Sequence, residues 1–239
     1  PGSNDYVRGM AARNGKMYFI NRETKSIVVV DGKTGNMLDP IVLQGTDTLF
    51  KSATVDSVGN KVWSDGTTLP YNDIKFDQAG NCLIGACMTG ATKCQTFYIY
   101  VVDLKTGVCT KLIEDVLWEN PGLDQVQFRF DAFGVAGDVT KDGIVTAFAS
   151  VSQYWAAWEI NDGVVSPYKC GQIAPNAGIA TVWYPGYGVV MPMGPKLSDG
   201  LAYCAYDGVY ALQICTDPAN NTWKQVFKTF STWAEGGSG

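Results

Sequence analysis

Apolar residues along this chain come in runs of four to seven, rich in β-branched and aromatic side chains, with polar turn residues between them. KMYFI (16–20), IVVV (27–30), FYIYVV (97–102) and IVTAFA (144–149) are representative. No window of a dozen residues keeps apolar positions at i, i+3, i+4 and i+7 without an intervening glycine or proline, so long helices are not expected. The separators include Asn14-Gly15, Asp31-Gly32, Asp142-Gly143, Asp162-Gly163, Asp199-Gly200 and Asp207-Gly208. Such dipeptides supply the positive φ angles that two-residue hairpins require. The pattern predicts a succession of antiparallel hairpins.

The hairpins repeat at long range. VVVDGKTG (28–35) and YVVDLKTG (100–107) are nearly the same text. A turn followed by a strand recurs as RNGKMYFI, QAGNCLIGA, KDGIVTAFA and SDGLAYCAY, with glycines at positions 15, 80, 143 and 200. Each is followed by a further strand and an Asp- or Asn-led turn, and each is preceded by a first strand, expected at 7–11, 71–76, 127–133 and 186–191. Four strands in about 60 residues is the pattern of a β-propeller blade, whose sheet buries its faces only against neighbouring sheets. The expectation is an all-β fold, a β-propeller of four-stranded antiparallel blades with about four blade-like units, approximately 7–43, 71–113, 127–170 and 186–230. They are read as one domain over residues 1–239, complete as a small ring or part of a longer protein. Residues 46–70 are either a degenerate extra hairpin or a long connection. A β-sandwich would also show closely spaced strands, but not the internal echo. In the VDxKTG turns, Asp is expected to bond the turn backbone and Gly to take the left-handed conformation.

Composition narrows the function classes. Among 239 residues, 46% are hydrophobic and 17% charged, which excludes disorder. The net charge of −5, with Lys and Arg scattered singly, argues against a nucleic-acid partner. No apolar run approaches the length of a membrane-spanning helix, and the first residues carry no signal peptide. The start reads as a trimmed or processed end and the final GGSG as a tag scar or a natural tail, so export stays open. Histidine is absent, which removes Ser-His-Asp and Cys-His catalysis, histidine general bases and histidine metal sites. No cofactor or metal is expected. The seven cysteines form no C-x-x-C pair; they read mainly as buried thiols, with a disulfide in the 82–94 cluster as the alternative.

The stretches MYFINRETKSIVVVDGKTGNML, DQAGNCLIGA and YVVDLKTG resemble the uncharacterised exported β-propeller proteins of Bacteroidetes, many of them surface lipoproteins. The resemblance covers most of the chain and rests on blade-framework text rather than on a site motif. It implies a place outside the cytoplasm, at the cell surface or outer membrane, with outer-membrane transport proteins as partners in nutrient uptake. It carries no catalytic residue across. The lipid-bearing cysteine of such lipoproteins is absent at the start of this chain, so lipid anchoring is implied only for the parent protein.

Aromatic clusters are the strongest candidate site. TVWYPGYG (181–188) puts Trp183, Tyr184 and Tyr187 into a loop before the last unit, and Trp118 and Trp63 flank other connections between units. Such side chains offer a stacking floor for a sugar ring or a grip for a peptide. A glycan or peptide ligand follows as the expected partner. Trp155, Trp158 and Trp223 fall within strands and are expected to pack between sheets. Glu119, Asp124, Asp131 and Glu159 lie near aromatic loops and represent the alternative, a carboxylate-dependent glycan hydrolase or lyase. Residues 137–143 (GDVTKDG) mimic the start of a calcium loop, but the twelfth position is Ala149 where a bidentate Glu is needed. A hairpin turn is the expectation there.

Overall fold

The computed structural model describes residues 9–45, 51–55, 58, 61–68, 71–86, 96–116, 130–149, 154–173, 189–204 and 211–228. The chain clusters into two compact units, Pro1–Phe128 and Arg129–Gly239, and among the described residues no α-helix occurs.

The first unit holds two four-stranded sheets and a separate hairpin. Sheet one consists of β1 (Met10–Arg13), β2 (Lys16–Asn21), β3 (Ser26–Asp31) and β4 (Ile41–Val42), in the order β1-β2-β3-β4. The hairpin pairs β5 (Lys51–Val55) with β6 (Lys61–Thr68), so the degenerate-hairpin reading of residues 46–70 holds. Sheet two runs β7 (Tyr71–Phe76), β8 (Cys82–Ala86), β9 (Thr96–Val102) and β10 (Cys109–Val116), again with chain neighbours side by side.

The second unit repeats this plan. Sheet three contains β11 (Phe130–Gly137), β12 (Gly143–Ala149), β13 (Tyr154–Asn161), β14 (Val164–Val165) and β15 (Lys169–Gln172). Both β14 and β15 pair with β13, so the sheet has five strands rather than the expected four. Its outer strand is interrupted at Ser166-Pro167-Tyr168, where proline has no N–H for the ladder. Sheet four is β16 (Val189–Pro192), β17 (Leu201–Cys204), β18 (Ala211–Asp217) and β19 (Thr222–Lys228), in chain order. All named strand pairs are antiparallel, and each sheet has the up-and-down order of a propeller blade.

The turns show which sequence signals acted as read. Asn14-Gly15 (φ 49° and 72°) and Asp162-Gly163 (φ 49° and 76°) both take the left-handed conformation of a two-residue hairpin. Asp31-Gly32 and Asp142-Gly143 do not, and Asp207-Gly208 lies outside the described residues. At 31–37 the positive φ belongs to Gly35 rather than Gly32, and Gly143 already pairs with Gly137 across a turn at 138–142. The cause is side-chain competition. Asp31 Oδ1 accepts from the amides of Lys33 and Thr34, and Asp138 Oδ1 from Thr140 N, which opens a longer turn in place of the two-residue one. The first strands run closer to their turns than expected: β1, β11 and β16 end at 13, 137 and 192 instead of 11, 133 and 191, and β7 falls on 71–76 as read, while residues 7–8, 127–129 and 186–188 lie outside the described residues.

Within each unit, the two sheets face each other. In the first, Tyr18, Ile20, Ile27 and Val29 of sheet one form one core with Tyr71, Ile74, Ile84, Tyr98 and Tyr100 of sheet two. Arg13 Nη1 donates to the Asp77 carbonyl (3.2 Å) while its guanidinium lies over the Phe76 ring, and Arg22 Nε donates to the Tyr71 carbonyl (2.7 Å). In the second, Ile144, Phe148, Trp155 and Ala157 pack with Val190, Leu201, Tyr203 and Cys215. Thr146 Oγ1 donates to the Val190 carbonyl at 2.5 Å, and a Cβ on Gly134 would collide with that pair, so glycine permits this approach of β11 to β16. The strand tryptophans behave as expected: Trp155 and Trp158 are each 1% exposed, and Trp223 packs against the same core.

Candidate functional site

Strand direction sorts the connections of every sheet into two ends. In an up-and-down sheet, the first-to-second and third-to-fourth turns share one end. The second-to-third turns and the links to the next sheet share the other. At the first end lie the connections 14–15, 32–40, 77–81, 103–108, 138–142, 162–163, 193–200 and 218–221. At the second end lie 22–25, 87–95, 150–153 and 205–210, together with the links 43–70 and 173–188 inside the two units. The longest connections, the links 43–70 and 173–188, thus leave from the second end.

Trp183, Tyr184 and Tyr187 belong to the link between β15 and β16, and Trp118 follows β10; all four lie outside the described residues. Trp63 belongs to β6, where it pairs with Ala53. The structure therefore gives Trp63 a strand position and brings none of the five into a described side-chain cluster.

Side chains that are described at this end in the first unit are engaged in support. Asn21, 5% exposed, accepts from Glu23 N and Thr24 N through Oδ1 and closes the 22–25 turn. Arg22 ties that turn to the start of β7. Asp73, 3% exposed, accepts from Ile74 N (2.9 Å) and Lys75 Nζ (3.0 Å). The sequence reading singled out none of these three. Their one legible signal is Asp73, an acidic residue in YNDIKF where a buried inner strand calls for an apolar one.

Of the candidate carboxylates, Glu119 and Asp124 lie outside the described residues, as does the side chain of Asp131. Glu159 Oε1 accepts from Leu197 N at 2.8 Å, and Oε2 lies 3.9 Å from Lys169 Nζ. It anchors the 193–200 turn of sheet four to β13. Asp138 Oδ1 accepts from Thr140 N and Thr140 Oγ1 (2.9 and 2.6 Å), the hairpin-turn arrangement expected of GDVTKDG. Among the described residues no group of three or more Cys, Asp or Glu is placed to hold a metal ion. Burial, with Tyr98 beside it, drives the Tyr100 phenol well above its ordinary range, and burial also raises Tyr18. Neither is an activated nucleophile.

The described core cysteines Cys82, Cys109 and Cys215 are thiols outside any disulfide. That takes Cys82, at 1% exposure inside the core, out of the 82–94 disulfide alternative, whose other members Cys87 and Cys94 lie outside the described residues. Burial, and secondarily Cys109, pushes the Cys82 thiol up to about 12.

No family model matches the chain, and no curated protein matches it. Among solved structures it is similar to a DUF4623 family protein from Bacteroides eggerthii, at 17% identity and a TM-score of 0.58, over 87% of this chain and 42% of that one. Lower-scoring likenesses are hydrazine synthase of Kuenenia stuttgartiensis (12% identity, 89% and 65% covered, TM-score 0.41) and the PQQ-bound aldose sugar dehydrogenase of Streptomyces coelicolor (14%, 90% and 60%, 0.40). The chain spans less than two thirds of the length of each. The source of the first agrees with the Bacteroidetes resemblance, and at that identity the likeness concerns the all-β arrangement of the sheets alone.

Proposed function

We propose that this chain is a non-enzymatic binding module with β-propeller architecture that works outside the cytoplasm, at the cell surface or outer membrane. It takes a glycan or peptide on its long-connection end and serves there as an accessory of outer-membrane transport proteins in nutrient uptake. One observation carries this reading: strand direction separates the hairpin turns at one end of each sheet from the links to the next sheet at the other, and Trp63, Trp118, Trp183, Tyr184 and Tyr187 all belong to the sequence of those links. Loops on a rigid sheet scaffold are where binding residues concentrate. Aromatic rings there supply large contact area at small entropy cost. The blade-like strand order and the facing of consecutive sheets in each unit support a propeller.

A glycan and peptide array combined with a hydrolysis screen tests the function. Retained ligand with no turnover, and roughly tenfold or greater loss of affinity in Trp183→Ala, is the expected result. Turnover abolished by neutral replacement of Glu119, Asp124 or Asp131 would put the chain among carboxylate-dependent glycan hydrolases or lyases instead.

A further inference from the structure

The two copies of VDxKTG are the same turn in two states of occupancy. In the second copy, Asp103 N donates to the Val108 carbonyl (2.9 Å) and Gly107 N to the Asp103 carbonyl (2.7 Å). In the first, Asp31 N donates to the Asn36 carbonyl (2.9 Å) and Gly35 N to the Asp31 carbonyl (2.8 Å). Thr106 Oγ1 accepts from Val108 N, and Thr34 Oγ1 from Asn36 N, both at 3.3 Å. The frames coincide bond for bond.

The second frame is filled. The segment leaving β4 lies along it as a short parallel bridge, Gln44 to Val108. Gln44 N donates to the Gly107 carbonyl (2.8 Å), Cys109 N donates to the Gln44 carbonyl (3.1 Å), and Gln44 Nε2 donates to the Thr106 carbonyl (2.9 Å). Leu43 is buried beside Cys109, which is 7% exposed. A Cβ on Gly107 would run into the Val42 carbonyl oxygen. The second unit has a counterpart: beyond β15, Ile173 is fully buried, and Asn221, in the outer turn of sheet four, donates through Nδ2 to the Gln172 carbonyl.

Among the described residues nothing fills the first frame. A Cβ on Gly35 would meet nothing within 4 Å, and Met37, in the place of Cys109, is 73% exposed. Leu38 N and Asp31 N make the ladder bonds that flank Met37, to the Val29 and Asn36 carbonyls. That pattern turns Met37 N–H outward, as Cys109 N–H is turned toward Gln44.

We propose that the turn at 31–37 is an edge-docking site for an extended segment of a partner polypeptide, with an apolar residue followed by Gln or Asn. The amide-bearing residue donates its N–H to the Gly35 carbonyl, accepts from Met37 N–H and sends its side-chain amide to the Thr34 carbonyl. The apolar residue before it covers Met37. This is strand addition at a sheet edge, with backbone bonds for affinity and side-chain fit for selectivity. It is independent of the ligand proposed for the long-connection end.

The test is NMR titration of the full chain with the synthetic peptide PIVLQG, copied from residues 40–45. Saturable shifts are expected at the amides of residues 34–37, with Met37 N–H slowed in hydrogen exchange and Kd on the order of 1 mM for so short a peptide. Met37→Glu, at an exposed position, and Gly35→Ala, whose Cβ blocks the approach, both lower affinity roughly tenfold. A peptide N-methylated at its Gln does the same. Absence of shifts at those amides, or shifts unchanged in Gly35→Ala and with the N-methyl peptide, overturns the proposal. Full protection of Met37 N–H before peptide is added also overturns it; if dilution removes that protection, the occupant is a second copy.

Discussion

Gly35 and Gly107 carry nearly the same φ, 73° and 76°, in nearly the same sequence, yet they predict different mutational costs. Alanine at either pays the left-handed penalty of about 1–2 kcal/mol. At Gly107 it also strikes the Val42 carbonyl and displaces the segment lying along the turn. Urea denaturation should therefore show Gly107→Ala losing at least about 2 kcal/mol more than Gly35→Ala. The aspartates of the same turns predict a pH effect. Asp31 is held below its ordinary 3.8 mainly by Thr34 N–H, then Thr34 Oγ1–H and Lys33 N–H; Asp103 is lowered mainly by Lys105 N–H and Thr106 Oγ1–H. A carboxyl with a lowered folded pKa stabilises the fold fully above its unfolded value and loses that contribution as pH falls through the folded value. Thermal midpoints should drop below about pH 4, and Asp31→Asn with Asp103→Asn should flatten that drop. Burial raises the thiols of Cys82 to about 12 and of Cys109 and Cys215 to about 11. Iodoacetamide at pH 8 should label these three roughly a hundredfold more slowly in the native chain than in urea. At this scale the turn chemistry of the Asp residues was legible in VDxKTG, but the difference between the two glycines was not. It depends on residues 42–44 arriving from elsewhere in the chain.

At the scale of elements, apolar runs marked the strands, because sheets covered on both faces need apolar side chains at consecutive positions. β12, with Ile144 through Phe148 almost wholly buried, and β13, with Trp155 through Trp158, show this directly. Alternation alone would have missed them. The break in the outer strand of sheet three was readable from Pro167, whose missing N–H divides β14 from β15. The link from sheet three to sheet four was not. Asn221, left-handed at φ 51°, accepts from both Trp155 Nε1 (2.9 Å) and Trp223 Nε1 (3.0 Å). Asn221→Ala orphans the buried Trp155 indole N–H and should cost about 1–3 kcal/mol, with a shift in tryptophan emission in the folded state. Asn221→Gly, which keeps the backbone conformation at no steric cost, should lose nearly as much if the side-chain acceptor is the cause.

For the whole molecule, the internal repeat in the text became four up-and-down sheets because each turn-and-strand pair folds locally, so strand order followed chain order. Candidate aromatics were found by composition and loop context, and all lie outside the described side chains. Arg22 escaped notice because its partner, the Tyr71 carbonyl, is 49 residues away in the chain, and Asn21 and Asp73 because their bonds to near neighbours matter only once packing buries them. The sequence by itself determined the all-β class, the succession of antiparallel hairpins and the absence of histidine chemistry, since these rest on local propensity and residue inventory. Tertiary structure alone decided which turns are covered and which are open, and which carboxylates are spent on holding loops. Those outcomes depend on packing one sheet against another, and identical local text met different neighbours.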